Sequence, residues 1–303
     1  MEKKVIIITG PTASGKTDYA IELAKYFDSA VISADSRQIF RHLNIGTAKP
    51  SRTQLSSVKH YLIDILEPDE EYNASMFEVQ AMQIIESLQN SGKIPVVAGG
   101  TGLYIKALIE GIFDGPSKDI AFREEMHGIM EREGTGKLLE MLKEKDPVSA
   151  SKMNTGNWKR IVRALEVLEL TGEPIWAHHN KQTGKTDTQF FQFAIDLPRE
   201  NLYKRIEERV DRMISSGLET ETRKVLDLGY SRNLNSLNTV GYKEMISYIC
   251  NEISCDRCIE LIKRNSRRYA KRQVTWFRAD PKIKWISAES LPSPTQLLEL
   301  IHH

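Results

Sequence analysis

Val5-Ile6-Ile7-Ile8-Thr9-Gly10-Pro11-Thr12-Ala13-Ser14-Gly15-Lys16-Thr17 decides the fold. Val5 to Thr9 is apolar and mostly β-branched, the composition of a parallel strand buried on both faces. Gly10 is followed by four residues and then Gly15-Lys16-Thr17, and Tyr19 to Ala24 reads as an amphipathic helix. Strand, glycine loop and helix are the context that makes G-x-x-x-x-G-K-[ST] a phosphate cradle of the nucleotide-binding, ATP-binding kind. Gly10, Pro11, Thr12, Ala13, Ser14, Gly15, Lys16 and Thr17 are therefore the expected phosphate-binding residues. Their backbone N–H groups can curl around phosphate oxygens, and the helix N-terminus adds its dipole. Lys16 supplies a mobile cation, and the Thr17 hydroxyl is placed to ligate Mg²⁺, the expected cofactor.

Context excludes two imitations. Thr183-Gly184-Lys185-Thr186 has His179 where the first glycine belongs and no strand before it, and Gly136-Lys137 has Glu131 there.

The chain has 303 residues, 40% hydrophobic and 27% charged, with net charge +1. That describes a globular protein with a real core, and no apolar run approaches the roughly 20 residues that span a bilayer. The N-terminal residues lead straight into the first strand, so a signal peptide is not expected and the cytoplasm is the default. Cys255-Asp256-Arg257-Cys258 has Cys250 as its nearest third ligand and no histidine close by, which is short of a zinc set. The pair falls within a helical pattern, without the strand-to-helix setting of a redox motif.

Further strands are expected at Ala30–Ala34, His60–Ile65, Ile94–Ala98 and Phe190–Ile195, alternating with helices such as Ala74–Asn90. The fold class is α/β, a P-loop parallel-sheet core formed by residues 1–118 and 186–303. Residues 119–185 lose the strand pattern and read as a helical insertion. Ligands of such sheets lie beyond the carboxyl ends of the strands, which brings Asp35 near the phosphate loop. An aspartate there is equally suited to capping the next helix. Gly99-Gly100-Thr101-Gly102 ends another strand and turns Thr101 toward the same cleft. Near the C-terminus, Lys263 to Arg278 carries seven cations and no acid, with Tyr269, Trp276 and Phe277 interleaved. Such a stripe is the footprint of a nucleic-acid partner, although a solvated helix face has the same composition.

These residues resemble the tRNA isopentenyltransferase (tRNA dimethylallyltransferase) family in its bacterial form, over nearly the whole chain. The resemblance rests on Gly10 to Thr17, Asp35-Ser36-Arg37-Gln38, Ile45 to Pro50, Gly99 to Tyr104, Arg163 to Val167, Val240-Gly241-Tyr242 and Tyr269 to Phe277. It implies transfer of a dimethylallyl group from dimethylallyl diphosphate to N6 of adenosine 37 of tRNA. It also implies Asp35 as general base, Thr101 at the bridging oxygen, and Lys16 and Arg209 on the diphosphate. The tRNA contacts it implies are Asp35 to Gln38, Thr101, Arg123, Lys159, Arg160, Ile161, Val162, Arg163, Asn238, Thr239, Val240, Gly241, Tyr242 and Lys243. Arg267, Arg268, Lys271 and Arg272 of the basic helix would meet the backbone of the anticodon stem-loop. A monomer is expected, and the two substrates are expected to enter a channel from opposite mouths. The chain departs from the family at Asn157, where aspartate is usual, and at Lys159, where glutamine is usual. From another class, a P-loop kinase of a nucleoside or small metabolite fits the first motif; prenylation of free adenine nucleotides is a third reading.

Overall fold

The computed structural model describes residues 3–112, 115–116, 118–177 and 187–302; the Thr183–Thr186 imitation lies outside them. Two compact units divide the chain, residues 1–109 with 186–303 and residues 110–185.

The strands are β1 (Lys4–Thr9), β2 (Val31–Ser33), β3 (His60–Tyr61), β4 (Val96–Ala98), β5 (Gln189–Asp196) and β6 (Lys284–Ser287). They form one sheet in the order β3-β2-β4-β1-β5-β6, every pairing parallel. The helices that accompany them are α1 (Lys16–Tyr26), α2 (Arg52–Ser57), α3 (Ala74–Asn90) and α4 (Gly102–Glu110). The smaller unit contains α5 (Ile120–Glu133), α6 (Thr135–Lys145), α7 (Pro147–Ser151) and α8 (Trp158–Thr171). The first unit resumes with α9 (Arg199–Ser215), α10 (Leu218–Asp227), α11 (Tyr242–Ile249), α12 (Cys255–Arg278) and α13 (Pro294–His302).

β1 is buried along its whole length because it lies between β4 and β5. Its alternate residues Ile6 and Ile8 pack with Leu23 of α1, Phe193 and Ile195 of β5, and Leu297 and Ile301 of α13. A second core joins Ile39, Phe40 and Leu43 to Val210, Leu218, Tyr242 and Ile262 of α9 to α12. This second core carries the segment after β2 that holds Asp35.

Two sequence expectations change. His60–Ile65 is a strand only at His60 and Tyr61, since Leu62 (φ 61) and Asp64 (φ 55) turn the backbone out of the sheet. The chain then bonds to the segment after β2, with the N–H of Ile65 donating to the Ile39 carbonyl at 2.9 Å. The cysteine pair lies at the start of α12 rather than in its interior, with Ser254 as the N-cap. Cys255 is exposed, whereas Cys258 is buried and its thiol is pushed up to about 12 by that burial.

In the smaller unit Met126, Leu138, Leu142, Ile161, Val162 and Leu165 form the core. Asn157 caps α8, its side chain accepting from the Arg160 N–H at 3.3 Å, so the departure from aspartate keeps the capping function.

Candidate active site

The turn after β1 uses its glycines where only glycine fits well. Gly10 has φ 129, and a Cβ there would stand 3.0 Å from the Ile195 carbonyl oxygen. Gly15 (φ 97) opens α1, and Ala13 (φ 65) shares the left-handed region between them. Lys16 folds back so that Nζ donates to the Pro11 carbonyl at 2.6 Å. Arg209, from α9, donates to the Thr12 hydroxyl at 2.8 Å. Burial, and then the neighbouring Arg209 charge, push Lys16 down to about 7 against the opposing pull of Asp35. Thr17 faces the cavity, and its hydroxyl bonds to none of the described residues. That cavity, of about 930 Å³, is walled by the glycine loop, Asp35, the 44–55 segment and α9.

Asp35 lies near the glycine loop as foreseen, but it caps no helix. Its Oδ1 accepts from the Arg37 N–H at 2.8 Å and the Gln38 N–H at 3.4 Å, fixing a turn where a helix was expected. The residue also lines both the large cavity and a second one of about 300 Å³. Thr12, Asp35, Thr47, Arg209 and Tyr269 belong to both walls. Thr101 is absent from either wall. Its Oγ1 accepts from the Ser36 N–H at 3.0 Å, so Thr101 secures the Asp35 turn.

The second cavity collects Ser36, Arg37, Asn238, Thr239, Val240, Lys243 and Arg272 from the expected RNA contacts. Gln38 lines the large cavity instead, and its amide donates to the Ala48 carbonyl at 3.2 Å. Other expected contacts have different surroundings. Tyr242 is 0% exposed; its hydroxyl donates to Glu221 at 2.5 Å and accepts from the Gly46 N–H. Gly241 is buried, its N–H donating to Glu244 at 2.8 Å. Arg267 pairs with Glu207 of α9 at 2.5 Å, while Arg268, Lys271 and Arg272 stay exposed on α12. In the smaller unit Ile161 and Val162 belong to the core, so Lys159 and Arg160 are the exposed cations at the start of α8.

Arg123 and Arg163 share the Glu166 carboxylate, which is 0% exposed, at 2.7 and 2.6 Å. Burial pushes the Glu166 carboxyl up. The bonds from both guanidiniums and from the Asp119 N–H outweigh that and hold it below the usual carboxylate range. A depressed native pKa stabilises above the unfolded value and loses that contribution as pH falls through the native one. The α5–α8 unit is therefore expected to lose helical circular dichroism below about pH 4. A Glu166→Gln variant with the same acid profile as wild type would contradict this.

Two residues that organise the site were not among the expected site residues. Glu221 accepts from the backbone N–H groups of Asn44, Ile45 and Gly46, at 2.9 to 3.3 Å, and so shapes the loop that supplies Thr47 and Ala48 to both cavities. Its neighbours in α10 are ordinary charged residues, and nothing in their spacing marks it. Gln273 bonds to the glycine loop, its Oε1 accepting from the Thr12 N–H at 2.8 Å. A signal existed there: Ile262, Ala270, Gln273 and Phe277 share the buried face of α12, an odd place for an amide.

The family model for IPP transferase matches residues 38–280. The tRNA dimethylallyltransferase of Thermotoga maritima is 44% identical over 282 residues, 93% of this chain and 92% of its own. The chain belongs to the IPP transferase family. Another family member, tRNA dimethylallyltransferase 2 of Geotalea daltonii, is 43% identical over 93% of this chain and 87% of its own. Among solved IPP transferases, the tRNA isopentenylpyrophosphate transferase of Bacillus halodurans is 34% identical with a TM-score of 0.71, covering 99% of this chain and 100% of that one. A eukaryotic dimethylallyltransferase acting on tRNA is 28% identical with a TM-score of 0.76, over 94% of this chain and 74% of that one.

Proposed function

We propose that this enzyme transfers the dimethylallyl group of dimethylallyl diphosphate to N6 of adenosine 37 in the anticodon loop of tRNA. One observation carries the reading: Asp35 stands in the wall common to the cavity lined by Lys16 and Arg209 and a second, smaller one lined by Arg37, Lys243 and Arg272. The two cavities serve as the mouths of one channel, donor on the glycine-loop side and adenine on the other.

The adenine amine is a weak nucleophile because its lone pair is delocalised into the ring. Lys16, Arg209 and the loop N–H groups would stabilise charge on the departing diphosphate, where fixed donors are most effective. As the bond from N6 to the allyl carbon forms, the bond from that carbon to the diphosphate oxygen breaks. The amine proton passes to Asp35 through Oδ2, since Oδ1 is already engaged by the turn. Thr101 acts on this step by holding Ser36. The Thr17 hydroxyl, a hard oxygen donor, would hold Mg²⁺, and the ion would supply positive charge as the leaving group departs. Reaching the adenine requires the base to leave the loop stack, as for other base-modifying enzymes.

We assign the reaction to the cytoplasm; no described helix is long and apolar enough to cross a membrane. Family membership does not favour the kinase reading. The deciding experiment is mass spectrometry of tRNA nucleosides after incubation with dimethylallyl diphosphate. A mass gain of one dimethylallyl group on adenosine, with diphosphate released, is the expected result. ATP-dependent phosphorylation of a small acceptor without prenylated tRNA would replace it.

The smaller unit takes part through its exposed cations, in this reading. Replacing Lys159 and Arg160 with alanine is expected to weaken tRNA binding and flatten its salt dependence, by about one in log–log slope per lost phosphate contact. Titrations at several salt concentrations check it, and donor affinity is expected to stay unchanged. An unaltered slope would remove these residues from the RNA interface.

A further inference from the structure

Gln273 is 6% exposed and lies on the face of α12 that packs inward. Both ends of its amide are used. Oε1 accepts from the Thr12 N–H at 2.8 Å, and Nε2 donates to the Gly100 carbonyl at 2.9 Å. The orientation is forced, because a backbone N–H only donates and a carbonyl only accepts. The side chain thus ties the two glycine loops together. A Cβ on Gly100 would stand 2.2 Å from Nε2, so the second loop is shaped to the amide.

Each loop leads on to a group with a part in the reaction. From Thr12 the contact continues to Arg209, on the leaving-group side. From Gly100 the chain passes to Thr101, which accepts from the Ser36 N–H and so fixes the turn beside Asp35. We propose that Gln273 is a positioning residue that sets the distance between the diphosphate loop and the Asp35 base. The inference rests on the prenyl-transfer reading. It adds a reason for an amide at this place: a neutral side chain that accepts toward Thr12 and donates toward Gly100 at any working pH. Glutamate has the same shape but, once ionised, presents an oxygen to the Gly100 carbonyl. Protonated glutamate restores both bonds.

That difference supplies the test. With wild-type protein prenylating tRNA as the control, Gln273→Glu is expected to lower turnover about a hundredfold at about pH 8, the scale set by small misplacements of reacting groups. Its tRNA affinity should match wild type. Burial raises the pKa of the introduced carboxyl, so the ratio of variant to wild-type turnover should rise about tenfold or more as pH falls to about 6. Taking the ratio removes pH effects common to both proteins, and a role confined to packing α12 would not produce this recovery. Gly100→Ala probes the same bond from its other end. It is expected to lower turnover in the wild-type background, and to add no further loss to Gln273→Ala, where its Cβ has room. A pH-independent ratio, turnover near wild type at the higher pH, or additive losses in the Gly100 and Gln273 pair would overturn the proposal. Wild-type protein that fails to prenylate tRNA would instead overturn the reaction assignment.

Discussion

Replacing Asp35 with asparagine is expected to lower turnover by about two to four orders of magnitude, the range for loss of a general base, while tRNA affinity stays near wild type. The structural grounds for separating the two effects are specific. Oδ1 of Asp35 holds the Arg37 and Gln38 N–H groups, and an asparagine carbonyl can accept both bonds. The turn, the Thr101–Ser36 bond and the wall of the smaller cavity should therefore persist. What disappears is the ability to take a proton. Single-turnover rates with saturating tRNA and donor check the prediction. A rate within a few-fold of wild type would show that another group accepts the amine proton.

Lys16→Ala is expected to reduce turnover by about two to three orders of magnitude, comparable to removing one fixed donor from a developing anion. The lysine also makes donor binding sensitive to pH. Before diphosphate binds, burial and the nearby Arg209 charge push its pKa down to about 7 against the pull of Asp35. A bound diphosphate favours the charged form and raises that pKa. Below the lower value Lys16 is already protonated, and its contribution does not vary with pH. Above it, binding must draw a proton from solution, so affinity falls by up to tenfold per pH unit until the raised pKa is reached. Calorimetry at about pH 8 in buffers of different ionisation heat should show proton uptake in wild type and less in Lys16→Ala. Equal uptake in both would mean that another group provides it.

The sequence was most legible where chemistry is local. Gly10 and Gly15 mark the first loop because its backbone conformation is settled within eight consecutive positions. Family membership then agrees with the resemblance seen in those motifs. The long-range partners were not legible. Glu221 acts on the backbone of residues 44–46, and Gln273 on Thr12 and Gly100; no spacing rule connects such positions. Composition misleads in places for the same reason. His60 to Ile65 has the residue types of a strand, yet backbone bonds to the segment after β2 pull it out of the sheet. Within Lys263 to Arg278 the cations look equivalent in sequence. The fold commits Arg267 to Glu207 and Lys263 to Asp211, leaving Arg268, Lys271 and Arg272 exposed.

The pairing of β1 with β5 has a consequence for how the molecule is made. Synthesis delivers β1 well before β5, and one whole edge of β1 waits for residues 189–196. At typical synthesis rates the intervening stretch, residues 10–188, takes roughly 10–40 seconds to appear. Throughout that time Val5, Ile6, Ile7 and Ile8 are part of a nascent chain with an unsatisfied, strongly apolar edge. The α5–α8 unit emerges within the same interval and has its own core, so it can fold first and shorten the effective loop that β5 must close. Newborn chains stalled before residue 189 should accordingly be the form that chaperones hold and that aggregates most readily.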